Sequence, residues 1–173
     1  IGGRLTRVAG VPGDPNTWYF AAAQGGVWKS EDGGQKFKPI MDEVFTASMG
    51  ALAIAPSDPN VIYVGGGEAN PRGNVMLGHG IWKSADAGKT WEHVWKEKGQ
   101  IGTVAVHSDA RGVYRTSDGG KTWQRMLHKD AVTGASDIAI DPNNPRVLYA
   151  GMWQFKRTPW QTTSGGPGSG LYR

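Results

Sequence analysis

Three aspartates occupy equivalent positions in a stretch that occurs three times in this 173-residue chain. The stretches are Gly26–Phe37, Gly80–Trp91 and Gly112–Trp123, and their aspartates are Asp32, Asp86 and Asp118. Carboxylates of this kind could serve glycoside hydrolysis, which needs one protonated and one ionised carboxyl group across a sugar-binding cleft. Repetition argues for a structural role instead, because one active site does not need three identical copies. We therefore predict that each aspartate caps its own turn.

Each stretch has the pattern of a β-hairpin. In the third copy the pattern predicts a strand Gly112–Thr116, a turn Ser117–Lys121 and a return strand that opens with Thr122 and Trp123. The aspartate can accept hydrogen bonds from nearby backbone N–H groups, and the glycines supply the positive φ angles of a tight turn. The final aromatic residue can pack on a neighbouring sheet. The predicted structural residues are Asp32, Gly34, Phe37, Asp86, Gly88, Trp91, Asp118, Gly120 and Trp123.

Pairs of further strands stand before the hairpins, and Asp/Pro/Asn turns join the strands of each pair. The pairs are Arg4–Gly10 with Thr17–Ala23, Met49–Ala55 with Val61–Gly65, and Ala135–Ile140 with Val147–Gly151, and their turns are Val11–Asn16, Pro56–Asn60 and Asp141–Pro145. Strand, turn, strand, loop and hairpin together make one four-stranded antiparallel blade. The sequence therefore predicts an all-β fold, a β-propeller of which the chain covers about four blades. Their approximate ranges are 1–39, 40–94, 95–127 and 128–173.

The third and fourth blades depart from this cycle. Between Trp91 and Gly112 there is room for only one strand, Ile101–His107, so a strand is predicted to be missing near 107/108. The fourth blade ends at Gly170–Arg173, which matches only the first strand of another hairpin. We expect the chain to be part of a longer propeller.

Composition excludes several classes of function. The net charge of +4 is spread along the chain, which predicts no nucleic-acid partner. No apolar run approaches the roughly 20 residues of a membrane helix, so no transmembrane segment is predicted. Cysteine is absent, and the four histidines lack short metal-ligand spacings. No cofactor and no metal are predicted, and a structural Ca²⁺ on loop carboxylates is left open.

The hairpin resembles the Asp-box, or BNR repeat, of the form Ser/Thr-x-Asp-x-Gly-x-Thr-Trp. The first copy departs from that form at Lys36 and Phe37, so its turn is expected to be looser. The stretches Gly67–Gly73 and Arg157–Trp160 look like parts of the exported bacterial sortilin-like (VPS10) proteins that are described as glycosyl hydrolases with BNR repeats. The resemblance implies a β-propeller at an extracellular, periplasmic or cell-surface location.

The same resemblance argues against hydrolysis by this segment. Xyloglucanase-type propellers carry a catalytic aspartate in a motif whose counterpart here has Ala23 in that position. A glycoside hydrolase whose catalytic carboxylates lie partly outside this segment remains one alternative. A structural subunit of a larger complex is another.

The connections between second and third strands point to a binding face. These connections lie at the blade edge opposite to the hairpin turns, together with the blade-to-blade loops. The connection is short in the first blade, at Ala23–Gly25, but the sequence predicts long loops at Gly67–His79 and Trp153–Ser169. Insertions confined to one face of a repeat array mark a binding face. The candidate binding residues are Glu68, Arg72, His79, Arg157 and Trp160. The sequence thus favours a non-enzymatic propeller that binds a protein, peptide or glycan.

Overall fold

The computed structural model describes residues 4–44, 48–67, 78–99, 112–141, 143–157 and 160–173. The chain divides into two compact units, Ile1–Ile101 and Gly102–Arg173. The regular structure of the described residues consists of β-strands, which confirms the all-β prediction. Within those ranges, no helical segment has the length and hydropathy of a membrane span.

The first unit contains two antiparallel four-stranded sheets in which strands consecutive in sequence are neighbours. One sheet consists of β1 (Arg4–Val11), β2 (Asp14–Ala23), β3 (Gly26–Ser30) and β4 (Lys38–Pro39). The other consists of β5 (Met49–Ala55), β6 (Asp58–Gly66), β7 (Gly78–Ser84) and β8 (Glu92–Gly99). This is the strand order that the sequence predicts, and it is the order of a propeller blade. The last strand, β8, continues five residues beyond position 94, the predicted end of the second blade.

The second unit contains a short hairpin and a larger sheet. The hairpin consists of β9 (Val113–Arg115) and β10 (Gln124–Leu127), and the sheet of β11 (Thr133–Asp141), β12 (Asn144–Arg157), β13 (Thr162–Ser164) and β14 (Gly170–Tyr172). Strand β14 pairs with β12, as predicted for the first strand of a further hairpin. The predicted strand Ile101–His107 and the predicted break near 107/108 lie outside the described residues.

The turns differ from the predictions at their ends. Strand β2 begins at Asp14, so the first turn is shorter than the predicted Val11–Asn16. The Asp14 carboxylate accepts a hydrogen bond from Asn16 N at 2.9 Å, inside the strand rather than across the turn. At the third hairpin, β10 begins at Gln124 and not at Thr122, because Thr122 is hydrogen-bonded to Asp118 and belongs to the turn.

The prediction that Trp153–Ser169 is a loop is wrong, because much of this segment is regular structure. Strand β12 continues through it to Arg157, and the chain returns as β13, with Phe155 opposite Ser164 and Lys156 opposite Thr163. A loop was the natural interpretation, because Pro159 and the glycines of 165–170 interrupt a strand pattern only a few residues long. The glycine-rich run follows β13 and ends at Gly170, the first residue of β14.

Apolar side chains hold the two sheets of the first unit together. The fully buried side chains include Tyr19 and Val27 from the first sheet, and Ile62 and Val64 from the second. Burying one such side chain contributes about 1.5–3 kcal/mol relative to leaving it exposed. The surface ion pair Lys29–Glu31, at 2.8 Å, adds only about 0–1 kcal/mol. Apolar burial therefore contributes more to the stability of the first unit than this ion pair does. In the second unit Val113, Ala150 and Met152 form a smaller core.

A half-buried hydroxyl links the same two sheets. The Thr6 Oγ1 atom on β1 lies 2.6 Å from Met49 O on β5 and 3.0 Å from Ala21 O on β2. A hydroxyl donates one hydrogen at a time, and the shorter distance favours Met49. The first strands of the two blades are thus joined by a polar contact as well as by apolar packing.

The second hairpin turn is fitted closely to the first sheet, and two matched substitutions test this fit. Gly88 has φ +90°, and a Cβ there would lie 2.5 Å from Ile40 Cδ1. Gly34, at the same position of the first hairpin, has φ +88° and no atom closer than 3.9 Å to its Cβ position. Both alanine substitutions incur about 1–2 kcal/mol of backbone strain.

We expect Gly88→Ala to lower the free energy of unfolding of the full chain more than Gly34→Ala does, measured by denaturant titration. Adding Ile40→Val removes the atom in conflict and is expected to restore part of the difference. Ile40→Val alone is the control for its own packing loss. Equal losses for Gly88→Ala and Gly34→Ala would contradict a constraint from Ile40.

Candidate functional site

The three turns that carry the repeated aspartates share one hydrogen-bond pattern. We call them the aspartate loops: Ser30–Phe37, Ser84–Trp91 and Thr116–Trp123. In each loop the first hydroxyl donates to the aspartate Oδ1 atom at 2.8 Å. The same hydroxyl accepts a hydrogen bond from the glycine N–H four residues later, at 2.8–2.9 Å. Serine or threonine is therefore needed at the first position, because it must donate and accept at once.

The far half of each loop distinguishes the first copy from the others. The aspartate Oδ1 atom accepts the backbone N–H four residues on, from Lys36 at 3.0 Å, Thr90 at 2.8 Å and Thr122 at 2.9 Å. In the second and third loops a threonine hydroxyl also donates to Oδ2 at 2.6 Å. Lys36 has no hydroxyl, so the first loop lacks this bond, in agreement with the looser turn predicted for it.

These hydrogen bonds hold the aspartates in their ionised form. The Thr90 hydroxyl and then the Thr90 N–H lower the pKa of Asp86 from 3.8 to about 2. Thr122 lowers the pKa of Asp118 in the same way. The pKa of Asp32 is lowered chiefly by the backbone N–H of Lys36. A general acid needs a raised pKa, so these carboxylates are suited to closing turns and not to donating protons.

The aromatic residue at the end of each aspartate loop has a different partner in each copy. The Trp91 indole N–H donates to Ile40 O at 2.8 Å, which ties the second loop to the end of the first sheet. The Trp123 indole donates to Gly120 O within its own loop, at 3.1 Å. The Phe37 ring has no N–H to donate and packs on Phe20, with ring centroids 4.8 Å apart. The second loop therefore joins two blades.

The aspartate loops share a blade edge with the turns between first and second strands. Gly33 N donates to Asn16 O at 2.9 Å, and Ala87 N donates to Asn60 O at the same distance. The connections between second and third strands leave from the opposite edge, which we call the loop edge. In the first blade this connection is the two-residue turn Gln24–Gly25 between β2 and β3, as short as predicted.

His79 is a candidate binding residue at the loop edge of the first unit, and it lies within the part of the chain that the structure describes. It lies near the start of β7, and its side chain is partly buried. Its carbonyl oxygen lies 2.7 Å from His93 Nε2; because a carbonyl can only accept, that nitrogen carries the hydrogen. The His93 ring stacks on Trp82, with centroids 4.0 Å apart and planes 1° from parallel. The backbone of His79 thus orients a stacked pair of rings.

Trp160 and Arg157 lie in the second unit, at the end of the extended β12–β13 hairpin. The Trp160 side chain is 88% exposed, and Arg157 is the last residue of β12. Lys156, beside it on the strand, is exposed as well. The hairpin therefore carries a large aromatic ring and cationic residues at the loop edge of its sheet. The other two candidates, Glu68 and Arg72, lie outside the described residues.

Several residues of these sites were missed by sequence reasoning. Gly80 has φ +73°, and a Cβ there would lie 1.7 Å from Trp95 O. Gly112 stands at the equivalent position with φ +139° and a similar clash with Leu127 O. The recurrence of glycine at the start of each repeat was the available signal. Trp153, 49% exposed, had no such signal, because the predicted loop concealed its strand.

A metal site is not formed by the described residues. Within these ranges, no group of three or more His, Asp or Glu side chains is arranged to hold an ion. Asp58 and Asp141, two further carboxylates of the turn regions, accept backbone N–H groups two residues on, at 3.0 and 2.8 Å.

Comparisons with known proteins identify the fold. No family model and no curated protein matches the chain. Among solved structures, an ancestral GH74 enzyme is similar with a TM-score of 0.63 at 23% identity, over 87% of this chain and 22% of that one. The GH74 enzyme of Niastella koreensis is similar with a TM-score of 0.64 at 18% identity, over 92% of this chain and 30% of that one.

A third similar structure is YCF48 bound to D1 peptide, with a TM-score of 0.57 at 15% identity, over 94% of this chain and 52% of that one. At such identities the likeness shows the fold alone, and that fold is the β-propeller, which confirms the prediction. This chain spans between a fifth and about half of the length of these chains.

The difference between the aspartate loops gives a test in both directions. Lys36→Thr supplies the missing hydroxyl, so we expect the pKa of Asp32 to fall further and the thermal midpoint to rise. The charge of Lys36 is the smallest of the effects on that pKa, so its loss should not reverse the change.

Thr90→Val removes the largest effect on the pKa of Asp86, and we expect the pKa of Asp86 to rise from about 2 towards 3.8. Carboxyl ¹³C NMR titration of the full chain measures both. An unchanged pKa of Asp86 in Thr90→Val would contradict the hydrogen-bond account.

The lowered pKa of Asp86 also predicts the response to acid. Because this pKa is about 2 in the folded chain and about 3.9 in an unfolded one, the carboxylate stabilises the fold fully above pH 4. That contribution is lost as the pH falls from about 4 to about 2. We expect the thermal midpoint of Asp86→Asn to change less than that of the wild type across this interval. Parallel curves for the two proteins would show that Asp86 does not contribute.

Proposed function

We propose that this chain is part of an Asp-box propeller of the exported, sortilin-like type that binds a protein, peptide or glycan at its loop edge. The observation that carries the proposal is the contrast between the two edges of the blades. At the aspartate edge the carboxylates are engaged within their own loops. At the loop edge of the second unit, the β12–β13 hairpin extends beyond its sheet and exposes Trp160 and Lys156. Aromatic side chains such as Trp160 are enriched at binding surfaces, and an exposed cation offers charge complementarity to a partner.

The carboxylates of the described residues support binding over hydrolysis. A retaining or inverting glycosidase needs one carboxyl group whose pKa is raised enough to donate a proton near neutral pH. Among the described residues, each carboxylate with a resolved shift has a lowered pKa, and these are Asp14, Glu31, Asp32, Asp86, Asp118 and Asp130. Ala23, at the position of the catalytic aspartate in xyloglucanase-type propellers, is buried.

The structure of YCF48 with D1 peptide gives independent support. That protein has a similar fold and was solved bound to a peptide, so a propeller of this kind can serve as a peptide receptor. Function lies in the residues of a site and not in the fold. For this chain the residues that favour binding are those of the loop edge. Export is tested by fractionation of cells that express the complete protein, where recovery in the cytoplasm alone would overturn it.

The test compares matched variants at the two blade edges. The immobilised full chain is screened against a peptide display library and a glycan array, and affinities for the selected ligand are then measured. The loop-edge variant is His79→Ala with Trp160→Ala, and the aspartate-edge variant is Lys89→Ala with Lys121→Ala. We expect the first pair to weaken binding by about tenfold or more, because an exposed aromatic anchor such as Trp160 can carry much of an interface's affinity. The second pair is expected to leave it unchanged.

Two results would contradict the proposal. One is equal binding by both variants. The other is release of sugars from xyloglucan or another polysaccharide by the full chain, abolished by a single carboxylate substitution, which would place the protein among the hydrolases.

A further inference from the structure

The β12–β13 hairpin offers an open strand edge. Strand β12 has 14 residues, against nine in β6 at the same place in the second blade. Its partner β14 pairs only with Ala150–Met152, and β13 pairs with Phe155–Arg157 further on. Among the described residues, β13 pairs with β12 alone, so its outer edge carries no strand. Thr162, Thr163 and Ser164 are all exposed there.

The two faces of this hairpin have different chemistry. On one face the Trp153 indole donates to Ser164 Oγ at 3.1 Å, and a Cβ at Gly165 would lie 3.7 Å from its ring. The ring therefore packs on the backbone with its outer side exposed. On the other face Lys156 stands opposite Thr163. Trp160 lies beyond both, at the end of the hairpin.

The charge of this part of the chain is one-sided. Residues 155–164, the part of the hairpin that pairs with or leads into β13, contain Lys156 and Arg157 and no Asp or Glu. Asp130, in the turn before β11, accepts Val132 N at 2.8 Å and is engaged within that turn. The hairpin therefore favours a partner that carries negative charge.

We propose that the outer edge of β13 binds an extended acidic peptide segment by strand addition; this rests on the proposed binding function and narrows it. The unpaired edge offers N–H and C=O groups at the spacing of a polypeptide backbone, which a polysaccharide does not match. Side chains of an added strand alternate between the two faces. Those on one face lie on the side of the hairpin that carries Lys156, and those on the other lie on the side that carries Trp153. The expected ligand therefore alternates acidic with apolar or aromatic residues.

The probe is a short fluorescent peptide in which glutamate alternates with valine and tyrosine, titrated against the full chain by anisotropy. Three comparison ligands are the same peptide with lysine for glutamate, the same peptide with alternate backbone amides N-methylated, and polygalacturonate. We expect saturable binding of the acidic peptide only, weakening as salt is added. Amide hydrogen exchange at Thr162–Ser164 is expected to slow in the complex.

Two substitutions locate the ligand, each with a control in the same unit. Lys156→Glu is expected to weaken binding about tenfold or more, whereas Lys121→Glu, the same charge change on the third aspartate loop, leaves it unchanged. Trp160→Ala is expected to weaken binding, whereas Met126→Ala, which also removes an exposed apolar side chain, does not. Circular dichroism and the thermal midpoint check that each variant is folded.

The following results would overturn the inference that an acidic peptide binds to the outer edge of β13. Undiminished binding of the N-methylated peptide excludes strand addition, and stronger binding of polygalacturonate makes the hairpin a polysaccharide site. Self-association through this edge, detected by sedimentation of the chain alone, would make a second copy the occupant. If Trp160→Ala weakens the binding of a library ligand but Lys156→Glu does not, this inference fails while the proposed binding function stands.

Discussion

Each sheet of this protein must bury apolar side chains that it cannot cover by itself. In the first unit, Tyr19 and Val27 from one sheet and Ile62 and Val64 from the next are fully buried together. A four-stranded sheet standing alone would leave these groups in water, so blades are stable only beside other blades. Strand order, turn length and the placement of the aspartate loops all follow from this need to stack sheet on sheet.

The second aspartate loop shows how the turns depend on that stacking. Its carboxylate closes the turn through Ser84 and Thr90, and the closed turn then presents Gly88 and Trp91 to Ile40 of the preceding blade. A looser turn would not hold the indole 2.8 Å from the carbonyl of Ile40, the residue that follows β4 of the first sheet. The hydrogen bonds within the loop therefore matter less for their own energy than for the apolar contact that they position.

The sequence was sufficient to predict the structural elements that recur along the chain, but not those that occur only once. Three copies of one pattern were enough to predict the hairpins, the four-stranded sheets and the propeller. The β12–β13 hairpin occurs once, contains Pro159 and is followed by a glycine-rich run, so local signals for a loop outweighed a short strand pattern. The anchoring of Trp91 on Ile40 depends on atoms 51 residues apart in sequence, and no local pattern encodes such a contact. Of the predicted binding residues, Glu68 and Arg72 fall outside the described residues, so their placement stays a prediction.

The self-sufficiency of the aspartate loop has an evolutionary consequence. Its carboxylate takes its hydrogen bonds from hydroxyl and amide groups within the same eight residues, so no compensating change elsewhere is needed when the segment is duplicated. A unit of this kind can be copied with its hairpin into a growing array and can then change at single positions; the first copy differs from the other two at Lys36 and Phe37. Gene duplication can thus lengthen such an array, because each copied segment already contains the hydrogen-bonding groups that close its turn.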